Sequence, residues 1–241
     1  MYLSIKQDSI FVADSHYNQK NKQFLFFLKQ IENKKIKTTQ LFLMGDMIDF
    51  ISGESRYFIK QNSEVIELLN KLSNEIEIIY LEGNHDYNLK TLFPSIQVIK
   101  RENQPLLAKL NDKTVSISHG DNFINWKYDL YCKIIRNSIF LRFMNLIDIN
   151  FFISKKIENA LVKKNICHKI ENFKKLVEKR LENYNTDIVI EGHYHQGETF
   201  YIKEKKYINI PSLCCQEKYV IIKNLDFVGE SIWVWLCSVL L

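Results

Sequence analysis

Glycine and proline are scarce: 7 Gly and 3 Pro in 241 residues. Collagen-like repeats and long disordered segments need far more of both, so the chain reads as one that packs into regular structure. Cysteine is scarce as well. The 5 cysteines stand at 132, 167, 214, 215 and 237, with no Cys-x-x-Cys pair. This excludes a thiolate zinc knot and a disulfide-rich secreted scaffold. The neighbours Cys214 and Cys215 suit an ordinary bridge poorly, so reduced thiols in the cytoplasm are expected. No run reaches the ~18–20 apolar residues of a membrane-spanning helix. The richest run, 138–153, is broken by Arg142 and Asp148, and the C-terminal SIWVWLCSVLL has only 11 residues. The N-terminus shows no secretory pattern, and residues 8–13 already read as a strand leading to a candidate site. The expected location is cytoplasmic, with reversible contact at the inner face of the cell inner membrane left open.

Apolar residues make up 46% of the chain, enough for one substantial core, and a single domain over 1–241 is expected. The formal net charge is +5, but it is unevenly spread. Residues 122–185 hold 13 Lys or Arg against 6 Asp or Glu, so the rest of the chain is slightly acidic. A solvated helical surface and an anion-binding face account for that stretch equally well.

Short apolar runs at 8–13, 38–44, 75–82, 114–118 and 186–191 read as strands, with two more at 207–212 and 218–225. Helical spacing fills 21–32 and 62–72. Each of the first five strands is followed at once by a residue of metal-ligand type. Asp14 and His16 follow the first, and Asp46 of GDMID the second. Asn84, His85 and Asp86 of GNHD follow the third. His119 of HGD follows the fourth, and His193 and His195 of GHYH the fifth. Ligands of layered α/β proteins gather at the carboxyl ends of strands, where loops converge. Carboxylates, imidazoles and one amide, without cysteine, suit two divalent cations such as Mn²⁺, Mg²⁺, Fe²⁺ or Zn²⁺. A central carboxylate can bridge such a pair, and a pair can clamp the attacking and leaving oxygens of a phosphoryl group. His168 sits in a helical pattern and reads as a surface or packing histidine.

The order Asp-x-His, GDMID, GNHD, His119, GHYH resembles the calcineurin-like metallophosphoesterase family, and the match runs from residue 10 to about residue 212. The resemblance implies an α/β fold, a two-sheet β-sandwich flanked by helices. It implies that Asp14, His16 and His195 hold one ion and that Asn84, His119 and His193 hold the other. Asp46 would bridge them, and Mn²⁺ is the favoured metal. His85 would face the phosphate as an acid or electrostatic partner, oriented by Asp86.

Residues 122–185 interrupt the strand rhythm and read as helices inserted between the fourth and fifth strands, forming a cap. In this respect the chain is similar to the bacterial UDP-2,3-diacylglucosamine pyrophosphatases of lipid A synthesis, which carry a lipid-accommodating cap after HGD. The resemblance implies a nucleotide-linked lipid as substrate. Candidates to grip its diphosphate or nucleotide are Arg136, Arg142, Lys155, Lys156, Lys163 and Lys164. Phe140, Phe143, Met144, Phe151 and Phe152 would line an acyl groove, although core packing explains any one of them as well. Two positions depart from that branch: His85 stands where it has Arg, and Gln196–Gly197 where it has Arg-Pro. The competing expectation is a phosphomonoesterase or phosphodiesterase for a soluble nucleotide or nucleic acid. The aromatics of the insertion are mostly Phe inside apolar runs, which argues against nucleic acid.

Overall fold

The computed structural model describes residues 2–232. The C-terminal segment considered above as a membrane span lies, from 233 onward, outside the described residues, and so does Cys237. Among the described residues no helix is long and apolar enough to cross a membrane.

Two six-stranded sheets stack face to face. The first runs β1 (Leu3–Ser4), β8 (Leu106–Leu110), β9 (Lys113–Ser118), β10 (Ile188–Glu191), β12 (Lys205–Asn209), β11 (Thr199–Ile202). The second runs β14 (Asp226–Ser231), β13 (Lys218–Lys223), β2 (Ile10–Val12), β3 (Gln40–Leu43), β5 (Glu77–Leu81), β7 (Gln97–Ile99). A small parallel pair, β4 (Ile51–Ser52) and β6 (Asp86–Tyr87), stands apart. At the centre of each sheet the strands run parallel: β2 with β3, β3 with β5, and β10 with β9 and β12.

The two-residue period of a strand explains the layers. Phe11, Phe42, Ile79 and Leu81 point between the sheets, where they meet Val115, Ile117, Ile188 and Ile190 of the other sheet. The alternate residues Ile10, Val12, Leu41, Leu43, Ile78 and Tyr80 point outward. There they bury the apolar stripes of α1 (Gln23–Glu32) and α3 (Ser63–Leu72). On the opposite outer face, Val189 and Tyr207 pack against Phe173, Val177 and Leu181 of α7 (Phe173–Leu181). Strands buried on both faces read as unbroken apolar runs, which is how β2, β3, β5 and β10 appear in the sequence. This is the two-sheet α/β sandwich flanked by helices.

Three further helices lie between β9 and α7: α4 (Trp126–Ile135), α5 (Ser138–Ile147) and α6 (Phe152–Lys163). They differ from the rest in burial. Cys132, Leu141 and Ser154 are the buried positions of α4, α5 and α6. Asn125 and Asn137 cap α4 and α5 by accepting from Tyr128 N and Phe140 N. Polar anchors tie the three to the body. Arg136 donates to the Gly83 carbonyl at 2.6 Å, Tyr57 donates to Glu158 at 2.7 Å, and Asn88 donates to the Arg136 carbonyl at 2.8 Å.

Phe11 and Phe42 stack at 4.4 Å between ring centroids in the fully buried inter-sheet layer. Phe42→Ala should therefore cost about 3–5 kcal/mol of stability, as large aromatic truncations in cores do. Urea unfolding of the variant, read as a lowered midpoint with an unchanged slope, checks this.

Candidate metal centre

The turns that follow β2, β3, β5, β9 and β10 converge at one end of the sandwich. Their backbones are unusual. Asp14, His16, Asp46, His193 and His195 all have φ between 43° and 64°, the left-handed region. Each such residue costs on the order of 1–3 kcal/mol and persists only where the surroundings over-determine it. Here the turns hold one another. Asp14 N donates to the Gly45 carbonyl and His16 N to the Asp46 carbonyl, at 3.1 and 3.0 Å. His193 N donates to the Asp14 carboxylate at 2.9 Å, and His85 N to Asp46 Oδ1 at 2.8 Å. Two glycines permit the approach. Gly45 has φ 91°, and a Cβ there would stand 2.5 Å from His119 Nδ1. A Cβ at Gly83 would stand 2.5 Å from Asp46 N and would collide with its carboxylate.

The donors form three overlapping groups: Asp14 with His16 and His195, Asp46 with His119 and His193, and between them His16, Asp46 and His85. Within each group the ligand-type atoms lie within 4.8 Å of one another. His195 Nε2 is 3.4 Å from Asp14 Oδ1, and His119 Nε2 is 3.6 Å from Asp46 Oδ2 and 3.2 Å from Asn84 Oδ1. Asp46 also approaches the Asp14 group, since its Oδ2 is 4.0 Å from His16 Nε2. Both ring nitrogens of His16 are buried without a hydrogen-bond partner among the described residues. A buried imidazole left this way is costly unless something binds it, and the oxygen-and-imidazole donor set fits divalent cations. Backbone carbonyls fix the other rings. His119 Nδ1–H donates to Met44, His195 Nδ1–H to Ile166 and His85 Nδ1–H to Asp49, at 2.8, 3.0 and 2.5 Å. Each bond engages Nδ1–H and turns Nε2 toward the centre, where His119 and His195 can offer a lone pair and His85 a proton.

Burial alone would raise the Asp46 carboxyl; the rings of His119, His85, His16 and His193 outweigh it and hold it well below the ordinary range. Burial would lower His119, but Asp46, Asp121 and Asp14 raise it to about 9. His193 goes the other way, to about 4, through burial and then repulsion from His119.

Several expectations need correction. Asp86 does not orient His85. Its carboxylate accepts from Asp46 N, Gly83 N, Met47 N and the Tyr80 hydroxyl, at 2.9, 2.8, 2.7 and 2.6 Å. The residue that steadies His85 is Asp49, the last residue of GDMID. Its carbonyl takes the His85 bond, and its Oδ1 stands 3.4 Å from His16 Nδ1. The motif contained it, but a carboxylate three residues beyond the turn gave no sign of reaching back. Arg136 is not a free phosphate ligand. Its guanidinium bonds Gly83, lies 3.6 Å from Glu82 and sits over the Tyr87 ring, where it steadies the loop carrying Asn84. His168 is not helical. It lies in the irregular segment 164–172, which passes over the centre and lines a bowl of about 270 Å³ with Lys164, Asn165 and Ile166. Cys167 and Cys215 are not free thiols. The segment is joined to the short helix α8 (Leu213–Gln216) by a Cys167–Cys215 disulfide. The partners are 48 residues apart in sequence, and only the fold brings them together.

A groove of about 580 Å³ adjoins the bowl. Asn84, His85 and Lys164 belong to both spaces. The groove runs beneath α4–α6, and Tyr131, Ile135, Phe140, Leu141, Met144 and Ile157 are among its lining. Of the other basic candidates, Arg142, Lys155, Lys156 and Lys163 are exposed and outside the lining of both spaces. Phe143, Phe151 and Phe152 also lie outside it, and Phe143 and Phe152 face solvent at 56% and 62% exposure.

Residues 9–197 match the model of the calcineurin-like phosphoesterase family. The UDP-2,3-diacylglucosamine hydrolase of Wigglesworthia glossinidia brevipalpis is 26% identical, over 83% of this chain and 84% of that protein. The enzyme of the same name from Blochmanniella floridana is 23% identical, over 78% of this chain and 79% of that protein. A solved structure of an archaeal phosphodiesterase covers 94% of this chain and all of its own, with a TM-score of 0.49 and 13% identity.

Two outcomes follow from this geometry. Asp46→Ala should leave at most one ion per chain and abolish turnover, because Asp46 is the carboxylate that approaches both His16 and His119; metal analysis after gel filtration checks it. Loading metal-free protein with Mn²⁺ at pH 7 should release at least one proton, because His119 is protonated below about 9 and must shed that proton to offer Nε2, and at His195 burial is outweighed by Asp14, which raises it too. Affinity should therefore fall as pH falls, and calorimetry in two buffers of different ionisation enthalpy counts the proton.

Proposed function

The chain belongs to the calcineurin-like phosphoesterase family, and on that premise we propose that it hydrolyses UDP-2,3-diacylglucosamine to UMP and 2,3-diacylglucosamine 1-phosphate. As a family member it is a metal-dependent phosphoesterase. The observation that carries the substrate reading is the apolar groove beneath α4–α6, which opens onto the polar bowl at Asn84 and His85. A soluble phosphate needs no such groove; two acyl chains do. The names of the two relatives support the same reading.

In this reading Asp14, His16 and His195 hold one divalent cation, Asn84, His119 and His193 hold a second, and Asp46 bridges them. Mn²⁺ suits the donor set, as do Mg²⁺, Fe²⁺ and Zn²⁺. When bound, two such ions acidify water and polarise phosphoryl oxygens. The chain does the rest. The product pair requires water to attack the phosphorus nearer uridine, and the bridging oxygen leaves with the sugar phosphate. His85, its Nδ1–H held by Asp49, offers Nε2 at the junction of bowl and groove, where it donates a proton to the departing oxygen. Lys164 stands at the same junction and offers an ammonium to the diphosphate. The groove holds the acyl chains, at about 0.8 kcal/mol for each buried CH₂.

The residues that the groove leaves out have a different use. Trp126, Ile139, Phe143, Leu146, Ile149 and Phe152 are each between 56% and 80% exposed. Arg142, Lys155 and Lys156 lie among them. Exposed apolar side chains interspersed with basic ones suit an anionic bilayer surface. We place the protein at the cytoplasmic side of the inner membrane, attached reversibly, with α4–α6 as a cap on a single-domain body.

His85→Ala should keep both ions and lose roughly 10²–10⁴-fold in kcat, the usual contribution of a positioned acid; steady-state rates with metal analysis of the same preparation check it. The diacylated substrate should exceed both its deacylated analogue and a simple phosphodiester in kcat/KM, measured with one metal and one detergent. No gain from the acyl chains would sink the lipid reading and leave the phosphoesterase. Preference for the phosphodiester would favour a soluble substrate.

A further inference from the structure

The segment 164–172 crosses the centre and is fastened at four points. The Ile166 carbonyl accepts from His195 Nδ1 at 3.0 Å. Cys167 is bonded to Cys215. The His168 carbonyl accepts from Gln196 Nε2 at 3.1 Å, and Ile170 N donates to Gln196 Oε1 at 3.0 Å. The covalent point sits between Ile166, which orients His195, and His168, and both of these line the bowl.

The other end of the bridge reaches the same donor group. Cys215 belongs to α8, whose N-cap Ser212 donates from its hydroxyl to the Asp14 carbonyl at 2.8 Å, while Leu213 N donates to the Ala13 carbonyl at 2.9 Å. Cys215 Sγ lies 3.8 Å from His195 Nδ1. The disulfide therefore joins two pieces of backbone that both touch the Asp14–His16–His195 group, one at His195 and the other at Asp14 and His195. A third sulfur, that of Cys214, lies within 4.8 Å of both. Cytoplasmic disulfides are seldom permanent struts; where they occur they usually open and close with redox state.

We propose that Cys167 and Cys215 form a thiol–disulfide site that clamps the 164–172 segment over the metal centre when oxidised and releases it when a dithiol reductant opens the bond. The inference rests on the reading of this centre as the one that binds the cations. In the opening step the reductant's thiolate attacks one sulfur of the pair and the S–S bond breaks. The second reductant thiol resolves the mixed disulfide, so the reductant ends as a disulfide and Cys167 and Cys215 end as thiols with one proton each. Opening removes the covalent anchor beside Ile166, so the carbonyl that fixes the His195 tautomer is held only by weaker bonds. Losing an orienting partner of this kind typically costs about 10–100-fold in metal affinity.

The test uses the full chain, prepared oxidised and then reduced with a phosphine, which takes up the disulfide's oxidising equivalents as phosphine oxide. Differential alkylation and peptide mass mapping should find Cys167 joined to Cys215 in the oxidised form. Amides of 164–172 should exchange hydrogen faster after reduction, and calorimetric Mn²⁺ affinity should fall about tenfold or more. Mn²⁺ is a useful probe because it has little affinity for the freed thiols. Cys167→Ser should behave like the reduced form and be indifferent to the phosphine, whereas Cys132→Ser should keep the full response. Finding Cys167 unpaired in the oxidised form, or exchange and Mn²⁺ affinity unchanged by reduction, overturns the clamp. If exchange and affinity respond but neither form hydrolyses the diacylated nucleotide or a simple phosphodiester, the clamp stands and the proposed function fails.

Discussion

The centre depends on a carboxylate that touches no substrate space. Asp86 is fully buried and receives four hydrogen bonds, three from backbone amides of the turns after β3 and β5 and one from the Tyr80 hydroxyl. Burial and the neighbouring Asp46 charge push its carboxyl up, while the bonds from Tyr80 and Gly83 pull it back. A charge placed this way stabilises only if every bond is made, so the two turns are locked in one geometry or the network fails together. That lock holds Asp46 at positive φ and brings Asn84 and His85 alongside it. Asp14, His193 and His195 then complete the interlock through bonds between turns from different sheets. The strain at five positions is thus held by mutual constraint and not by any single strong contact.

The groove and the bowl divide the labour of recognition. The sandwich and its loops supply one wall of the groove, with Phe50, Phe58 and Tyr87 in its lining. The helices α4–α6 supply the rest. They contribute little to the core, and their side chains are spent on a groove facing inward and an apolar face looking outward. Arg136 links the two parts, since it leaves the end of α4 and bonds the carbonyl of Gly83, directly before Asn84. Gln196 links them again by holding the segment that follows α6. At that position a side-chain amide can bond two backbone groups at once.

Much of this was legible in the chain. The unbroken apolar runs of β2, β3, β5 and β10 read as strands because both of their faces are buried, and β9 reads as one through the alternation of KTVSIS. Other strands leave little trace. β1, β4 and β6 have two residues each, too few for a period; β7 has three; β8 carries Lys109 within a short run; and β11 and β14 lie at sheet edges with mixed composition. By sequence α7 belongs with the basic insertion, because it is as charged as its neighbours; only its packing on Val189 and Tyr207 assigns it to the body.

The sequence by itself determined which residues could gather and what chemistry they could support. Donor types placed directly after buried strands are a local pattern, and strands that lie side by side must bring such residues together. It did not determine the second layer of contacts. Whether Asp86 or Asp49 steadies His85, whether Arg136 meets a phosphate or a carbonyl, which Phe faces the groove and which faces solvent, and whether Cys167 finds Cys215 all depend on distances between segments far apart in the chain. Those distances are set by sheet packing and by the path of irregular loops, neither of which leaves a periodic trace in the order of residues.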